Sequence, residues 1–393
     1  MSTLESFRAE AREWLEANCP PGARGPGQVH SGSTKIPIEN PDVDLWLERA
    51  AEKGWTCPTW APEYGGAGLD THHYLALLEE MKAVGARPPL MNRGTTMVGP
   101  TILEFGTEEQ KRRLLPMIAR GAGAWCQGYS EPGSGSDLAS LRTSATDQGD
   151  HFLINGQKIW TSDADTSDWM FILVRTDPDA PKHEGISFFV MPVDQQGITV
   201  RPIRLISGAS PFCETFLDDA VAERRNMIGE INKGWTVGKR LLQHERSGME
   251  MLVSGSTTKR QMTTVDAARR YVGAVDGRII DPSVRDRVVR HEMASHTLKL
   301  TQRRIVEEAS DGKTPGPVTS IVKTVDTELE QTHADLMTSI MGTQGYGWEG
   351  DAFESAELGH ARRWLYIRAA SIYSGSNEIQ RNIIAKRVLG LPD

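Results

Sequence analysis

Two short segments of the chain combine glycines, hydroxyl groups and an aromatic ring. Residues 127–137 read Gln-Gly-Tyr-Ser-Glu-Pro-Gly-Ser-Gly-Ser-Asp. Such a turn lets backbone N–H groups and serine hydroxyls approach a phosphate or a carbonyl oxygen, although a plain β-turn has the same composition. Further along, Trp160 precedes Thr161 and Ser162. This indole could stack on a planar ring while the hydroxyls bond to the ring's edge, but a Trp at a strand end is more often core.

A third candidate is a carboxylate on an apolar stripe of a predicted helix. The helical neighbours of Glu245 are all apolar or small: Leu241, Leu242, Gly248, Met249, Leu252 and Val253. Burial there would raise the pKa of the carboxyl toward neutrality. The alternative is a core Glu paired with a structural Arg. Because an unpaired buried carboxylate is costly, we favour a functional role for Glu245.

The composition places limits on the partners. The chain has 393 residues, enough for two or three domains, and 24% of them are charged, as in an ordinary soluble protein. It carries 44 basic and 52 acidic residues, a net charge of -8. Nucleic acid is therefore not expected as the main partner, because binding its phosphates needs a basic face. The net charge of -8 is still compatible with a local basic patch that binds a phosphorylated ligand.

The cysteines and the N-terminus indicate the compartment. No two cysteines form a CxxC pair and no histidine cluster accompanies them, so neither a disulfide framework nor a metal site is expected. Residues 1–5 show no basic-then-apolar leader, and the longest apolar run, Trp169 to Val174, is too short for a membrane span. We expect a cytoplasmic protein. The four cysteines are Cys19, Cys57, Cys126 and Cys213.

The first part of the chain is predicted to be helical. Helices are expected after the capping box Ser2-x-x-Glu5, over Val43–Glu52, over Thr71–Val84 and after the cap Thr107-x-x-Gln110. The pattern then changes near Trp125 to that of strands. We therefore place an N-terminal helical domain at residues 1–123.

Residues 124–233 are predicted to form a compact antiparallel β-domain. Asn155-Gly156 between two alternating runs, 151–154 and 157–160, indicates a hairpin. Further strands are expected over 169–175, 186–193 and 198–206.

Residues 234–393 are predicted to form a C-terminal four-helix bundle, with helices over 234–272, 282–311, 318–341 and 355–387. The expected class is thus α+β multidomain, in the order α, β, α. No GxGxxG stands between a strand and a helix, so a nicotinamide-binding fold has little support.

Five motifs in this order resemble the acyl-CoA dehydrogenase flavoprotein family over essentially the whole chain. They are Gly54-Trp55 with Glu63-Tyr64-Gly65-Gly66, Phe105–Lys111, Ser130–Asp137, Asn155–Trp160 and Gly375–Arg381. The resemblance implies bound FAD and α,β-dehydrogenation of an acyl-CoA thioester to the trans-2-enoyl-CoA. A base then removes a proton from Cα while a hydride leaves Cβ for flavin N5.

The resemblance also implies roles for individual residues. Many members carry the base where this chain has Ser374, whose side chain cannot serve as one near neutral pH but whose backbone N–H could donate to the thioester oxygen. A subset carries the base in a Glu-Arg pair that corresponds to Glu245-Arg246, with Arg246 contacting substrate or CoA. The implied flavin contacts are Gln127, Tyr129 and Ser130 along the ring, Ser136 at the pyrophosphate and CoA end, Trp160 stacked near the ring, Thr161 and Ser162 toward N5, and Ser376 at the adenine arm.

Two motifs depart from the pattern of homotetrameric members, in which a neighbouring subunit completes each flavin site. The Arg-x-x-Phe-Gly segment reads Arg270-Tyr271-Val272-Gly273, one residue short, and the Gln-x-x-Gly-Gly segment is displaced within Gly342–Gly347. Branches that act on bulky acyl groups, such as steroid side chains, are α2β2 heterotetramers. We therefore hypothesise that this is the catalytic chain of a two-chain enzyme, with a homotetramer as the alternative.

Three functional interpretations remain open. The first is a dehydrogenase that passes electrons to an electron-transfer flavoprotein. The second is a structural subunit without chemistry, against which Glu245 on its apolar stripe argues. The third is an oxidase of the same fold that uses O2. The sequence does not identify the acyl group.

Overall fold

The computed structural model of the chain describes residues 3–245, 262–308 and 316–392. These residues form two compact units. The first contains residues 3–203 and 211–245, and the second contains residues 204–210, 262–308 and 316–392. No helix of the described ranges is long and apolar enough to cross a bilayer.

The first unit begins with helices whose ends are set by their caps. Asp70 accepts from the N–H of His73 at the start of α3, and Gly85 ends that helix with a φ of 73°. Thr107 and Gln110 form the predicted capping box of α5. The predicted box at Ser2 lies outside the described residues. The helices are α1 Thr3–Asn18, α2 Pro41–Glu52, α3 Thr71–Val84, α4 Gly99–Phe105 and α5 Glu108–Ala119.

A seven-stranded sheet follows, in the order β1-β4-β2-β3-β7-β6, and β5 also pairs with β4. Four of the six strand pairings of this sheet are antiparallel as predicted, whereas β1 and β2 both run parallel to β4, which was not predicted. Alternation along a strand reports which face is buried but not the direction of its neighbour. The strands are β1 Trp125–Gly128, β2 Ser144–Asp147, β3 His151–Ser162, β4 Trp169–Arg175, β5 Ile186–Pro192, β6 Ile198–Ile203 and β7 Phe212–Glu223.

The predicted hairpin at Asn155-Gly156 is wrong. β3 continues through both residues, and its register against β7 shifts between Ile154 and Gly156, which marks a β-bulge. The Asn155 amide exchanges hydrogen bonds with Asp219 on β7, at 2.8 and 2.9 Å. The extra residue is on β7, where Asp218 and Asp219 together oppose Asn155 and Asp219 has a φ of 51°. The turn that does form joins β2 to β3, where the N–H of Gln148 donates to the oxygen of His151.

The core of the first unit holds helix α6, Gly234–Glu245, against the sheet. Val237 and Leu241 on α6 are almost fully buried and belong to the same apolar cluster as Phe171 on β4 and Ile118 on α5. Val237, Leu241 and residue 245 follow each other at four-residue spacing along this helix.

The second unit is helical. The prediction over 318–341 is confirmed by a helix that begins at Thr319. The single helix predicted over 234–272 is wrong, because Met262 and Thr263 are not helical and Thr263 caps a new helix. The elements are α7 Thr264–Tyr271, β8 Ala274–Val275, β9 Arg278–Ile279, α8 Pro282–Glu308, α9 Thr319–Met341, α10 Ser355–Tyr366 and α11 Asn377–Ile383.

The helix predicted over 355–387 is divided in two, so that prediction is wrong as well. α10 ends at Tyr366, and residues 367–376 turn before α11 begins. Ser374 and Gly375 both have positive φ, 53° and 87°, which no helix accommodates. The short hairpin β8–β9 was not predicted, although Asp276-Gly277, with φ of 48° and 75°, is a strong hairpin-turn sequence.

Candidate functional site

The fold brings the two hydroxyl-rich segments of the first unit together. The N–H of Ile159 on β3 donates to the backbone oxygen of Ser130 at 2.9 Å. The neighbouring Lys158 donates from Nζ to the backbone oxygen of Tyr129 at 3.1 Å. The turn that follows β1 therefore lies directly beside the end of β3 that carries Trp160.

A buried ion pair fixes this junction. Lys158 is fully buried, and its Nζ lies 2.9 Å from Oε1 of Glu131, which is 9% exposed. Glu131 also accepts from the N–H groups of Arg142 and Thr143, at 2.7 and 2.8 Å. The carboxylate thus ties the turn after β1 and residues 142–143 to one lysine.

Burial and pairing act on both pKa values of this pair. Burial lowers the pKa of Lys158 to about 8, and Glu131 limits the fall. Burial also works to raise the pKa of Glu131, but Lys158 and the bonds from Thr143 and Arg142 outweigh it, so this pKa lies below its usual range. The sequence analysis missed this pair. Its signal was available, because Lys158 shares the period-two face of the buried Phe152 and Ile154.

The turn itself is closed by backbone bonds and open on its outer side. Glu131 and Ser134 exchange two backbone hydrogen bonds of 2.9 and 3.0 Å. Ser136 is exposed, and a Cβ added at Gly133 or Gly135 would meet no atom within 4 Å. The outer side of this turn therefore has room for a ligand, and its predicted contact with a phosphate stays a prediction.

The end of β3 presents an aromatic ring beside hydroxyls. Trp160 has a φ of 61° and is 52% exposed, and its ring meets Phe212 edge-on at 6.2 Å. Thr161 is fully buried, and its Oγ1 has no hydrogen-bond partner among the described residues. Ser162 is partly exposed next to it. An exposed ring next to polar groups is suited to a planar ligand with a polar edge.

The remaining predicted ring contacts lie on or after β1. Gln127 is partly exposed, whereas Tyr129 is only 4% exposed and packs edge-on against Phe171 with ring centres 6.0 Å apart. Helix α6 passes close to Tyr129, because a Cβ added at Gly238 would lie 3.4 Å from the Tyr129 hydroxyl. The same helix leads to Glu245.

Glu245 is the last described residue of α6. It stands one turn after the buried Leu241, as the spacing predicted. Its side chain, Arg246 and the predicted neighbours 248–253 lie outside the described residues, so the choice of base stays a prediction.

Two predicted site residues belong to the second unit. Ser376 caps α11, where its Oγ accepts from the N–H of Ile379 at 3.4 Å. Ser374 stands two residues earlier in a left-handed conformation with a φ of 53°. The turn that carries both residues is closed by the N–H of Asn377, which donates to the oxygen of Ser371 at 2.9 Å.

The segment compared with the cross-subunit arginine motif makes contacts inside its own chain. Arg270 pairs with both carboxylate oxygens of Glu354, at 3.0 and 2.6 Å. Tyr271 donates from its hydroxyl to Glu357 at 2.6 Å. The motif has its full length when it is counted from the exposed Arg269, as Arg-Arg-Tyr-Val-Gly, so only the aromatic residue is missing and the predicted shortening is wrong.

Three family models match the chain in succession. They are the N-terminal domain of acyl-CoA dehydrogenase over residues 2–122, the middle domain over 126–220 and the C-terminal domain over 232–389. Together they span helices, a sheet and helices in this order, which is the three-domain architecture of an acyl-CoA dehydrogenase. The chain belongs to the acyl-CoA dehydrogenase family.

Curated relatives agree over the full length. The chain is 37% identical to "Acyl-CoA dehydrogenase IpdE1" of Mycobacterium tuberculosis, covering 100% of this chain and 99% of the relative. It is 34% identical to "Acyl-CoA dehydrogenase FadE26" of the same organism, with 88% and 87% covered.

Solved structures show the same architecture. The "Tcur3481-Tcur3483 steroid ACAD" superposes with a TM-score of 0.76 at 30% identity, covering 100% of this chain and 98% of that one. The "ChsE4-ChsE5 complex" from Mycobacterium tuberculosis superposes with a TM-score of 0.72 at 28% identity, with 100% and 98% covered. The predicted three-part fold is therefore confirmed.

Proposed function

We propose that this chain binds FAD and catalyses the α,β-dehydrogenation of an acyl-CoA thioester to the trans-2-enoyl-CoA. The observation that carries the proposal is the junction at which Tyr129 and Ser130 lie beside Trp160 and Thr161, fixed by the buried Lys158. Family membership supplies the reaction class, and the junction supplies the surface for a flat cofactor.

The residues of the junction fit a flavin. Trp160 offers a half-exposed ring face, and Thr161 Oγ1 is a buried hydroxyl without a partner among the described residues. The open glycine turn, with Ser136 exposed, is suited to a pyrophosphate. FAD, when bound, supplies the acceptor for the hydride that leaves Cβ.

The chain's own residues have three tasks in this proposal. Glu245 removes the Cα proton, and the apolar Val237 and Leu241 on its helix favour a dry environment in which a carboxylate becomes a stronger base. The backbone N–H of Ser374 donates to the thioester oxygen and stabilises the charge that develops there. Arg246 holds the CoA moiety or the acyl group.

We propose further that the chain is the catalytic subunit of a two-chain enzyme for a bulky acyl group. Two structural neighbours carry two-chain names, and one of those names includes a steroid substrate class. The segment Arg269–Gly273 supports this assembly, because Val272 stands in place of the aromatic residue of the motif with which homotetrameric members complete a neighbour's flavin site. An electron-transfer flavoprotein is the proposed electron acceptor.

The decisive experiment tests the base. The holoenzyme is assayed for the enoyl product with short, branched and steroidal acyl-CoA thioesters. Glu245→Gln should retain flavin absorbance and lose about 100- to 10,000-fold in kcat, because a general base contributes 10²–10⁴-fold and an amide cannot accept the proton in its place. Glu230→Gln removes the same charge at an exposed position just before α6 and serves as the matched control.

The outcomes separate the competing functions. Wild-type rates in Glu245→Gln would place the base elsewhere, and no turnover of any thioester by the wild type would favour the structural subunit. Turnover with O2 that equals turnover with a ferrocenium acceptor would favour the oxidase. A stoichiometric FAD content in a purified homotetramer would remove the two-chain proposal.

A further inference from the structure

One face of α9 is polar where the core of a helical bundle is normally apolar. Lys323, Thr327 and Gln331 follow each other at four-residue spacing and share this face. Thr327 is buried, and the other two are partly buried. Polar groups are costly to bury unless they form hydrogen bonds, so their partners indicate what this face does.

Lys323 joins the two ends of the turn between α10 and α11. Its Nζ donates to the backbone oxygen of Ala370 at 2.7 Å and lies 3.4 Å from Oδ1 of Asn377. The same ammonium group lies 5.8 Å from the centre of the Tyr373 ring, within range of a cation–π contact. A single cation therefore contacts the beginning, the middle and the end of this turn.

The other two residues of the face contact the same turn. Thr327 Oγ1 lies 3.2 Å from Oδ1 of Asn377, so this amide oxygen is shared with Lys323. Gln331 donates from Nε2 to Oγ of Ser371 at 3.1 Å and reaches the backbone oxygen of Ile367 at 3.3 Å. The whole polar face of α9 is thus used to hold residues 367–377.

The turn needs this support because its backbone is strained. Ser374 has a φ of 53°, a conformation that costs free energy for any residue other than glycine and persists only where the surroundings impose it. Gly375 follows with a φ of 87°. The φ of Ser374 sets the direction of its own backbone N–H relative to the residues that follow.

We propose that Lys323, assisted by Thr327 and Gln331, is a positioning residue that holds the Ser374–Gly375 backbone in the conformation needed to polarise the acyl-CoA thioester. The inference rests on the proposed function, since that function assigns the thioester oxygen to the Ser374 N–H. Lys323 touches neither substrate nor cofactor in this assignment and acts only through the turn.

The test compares two identical substitutions in the second unit. Lys323→Met removes the ammonium group that contacts the turn, whereas Lys299→Met makes the same change at an exposed position of α8. Hydrogen–deuterium exchange is followed on peptides that cover residues 367–377 of the resting holoenzyme. We expect at least tenfold faster exchange of this segment in Lys323→Met, no change in Lys299→Met and partial protection in Lys323→Arg.

Kinetics provide the second readout. In Lys323→Met, kcat should fall 10- to 100-fold with KM changed less than threefold, because a misplaced donor weakens the transition state more than the ground state. Flavin content should equal that of the control. Equal exchange and equal kcat in Lys323→Met and Lys299→Met would overturn the inference.

A substitute variant and the activity of the wild type separate failure of this inference from failure of the proposed function. If Lys323→Met does not fold, Gln331→Met removes the contact to Ser371 with a side chain of similar length, and wild-type exchange of residues 367–377 in that variant overturns the inference. A wild type that is inactive on every thioester would contradict the proposed function, while the exchange experiment would still decide whether Lys323 holds the turn.

Discussion

Lys158 and Glu131 form a buried ion pair, with Nζ and Oε1 2.9 Å apart, between strand β3 and the turn after β1. Neither residue is itself a predicted flavin contact. Their pairing nevertheless decides where Tyr129 and Trp160 lie, because Lys158 also bonds to the Tyr129 backbone and stands two residues before Trp160. The candidate site is therefore built on an electrostatic contact inside the sheet.

Glu131→Gln should destabilise the first unit by about 3 kcal/mol, since it leaves the fully buried Lys158 without a compensating charge. Chemical denaturation measures the loss, and the released flavin reports the displaced turn. The double variant Glu131→Gln/Lys158→Met should recover much of the stability, because it removes both charges while the Gln oxygen can still accept from the N–H groups of Arg142 and Thr143. Glu131→Gln with the wild-type denaturation midpoint would contradict this view of the pair.

Gly156→Ala should cost about 1–3 kcal/mol of unfolding free energy and thereby test the backbone of β3 opposite the bulge in β7. A Cβ at this position would lie 2.8 Å from the Cα of Thr143, and the φ of 150° is unfavourable for alanine. Gly359→Ala on α10 is the control, because nothing lies within 4 Å of its added Cβ. If Gly156→Ala melted like the control, the backbone at the bulge would differ from this description.

Acid should destabilise the second unit through a cluster of histidines. Burial lowers the pKa of His333 to about 4, and His291, Arg363 and His360 add to the effect while Glu292 opposes it. His333 Nδ1 lies 3.2 Å from His291 Nε2. Because the folded pKa is below the unfolded value of 6.5, the stability is fully present above pH 6.5 and is lost as the pH falls toward 4.

Between pH 6.5 and 4.5, His333→Gln should lose about 1–2 kcal/mol less unfolding free energy than the wild type, with allowance for the partial exposure of His333. Unfolding free energies over that range measure the effect. His296→Gln, at an exposed position of α8, should leave the wild-type profile unchanged. If His333→Gln lost as much unfolding free energy as the wild type over this pH range, other groups would cause the sensitivity to acid.

Arg269→Ala should leave the FAD content of the two-chain holoenzyme unchanged. Arg269 is exposed and begins the Arg-x-x-Phe-Gly pattern, but Val272 stands in place of the aromatic residue, so this segment is not expected to complete a neighbour's flavin site. The ratio of flavin to protein absorbance after gel filtration measures the outcome. Loss of flavin in this variant would show that Arg269 serves a neighbouring subunit's cofactor, which is the homotetrameric arrangement.

Local patterns in the sequence determined much of the architecture. The α, β, α order, helix α3 and the capping box at Thr107 all follow from interactions between residues close together in the chain. The hydroxyl-rich segments were found for the same reason, because glycines and hydroxyls within one turn show their chemistry without reference to a partner.

Only the tertiary structure decided the features that depend on distant partners. Asn155-Gly156 continues a strand and forms no turn because β7 pairs alongside it, and the last predicted helix breaks because α9 holds residues 367–377 in a turn. The pairing of Lys158 with Glu131 spans 27 positions of sequence, and no local pattern contains it. A charge at a core position signals that a partner must exist, but its identity depends on how the chain folds back on itself.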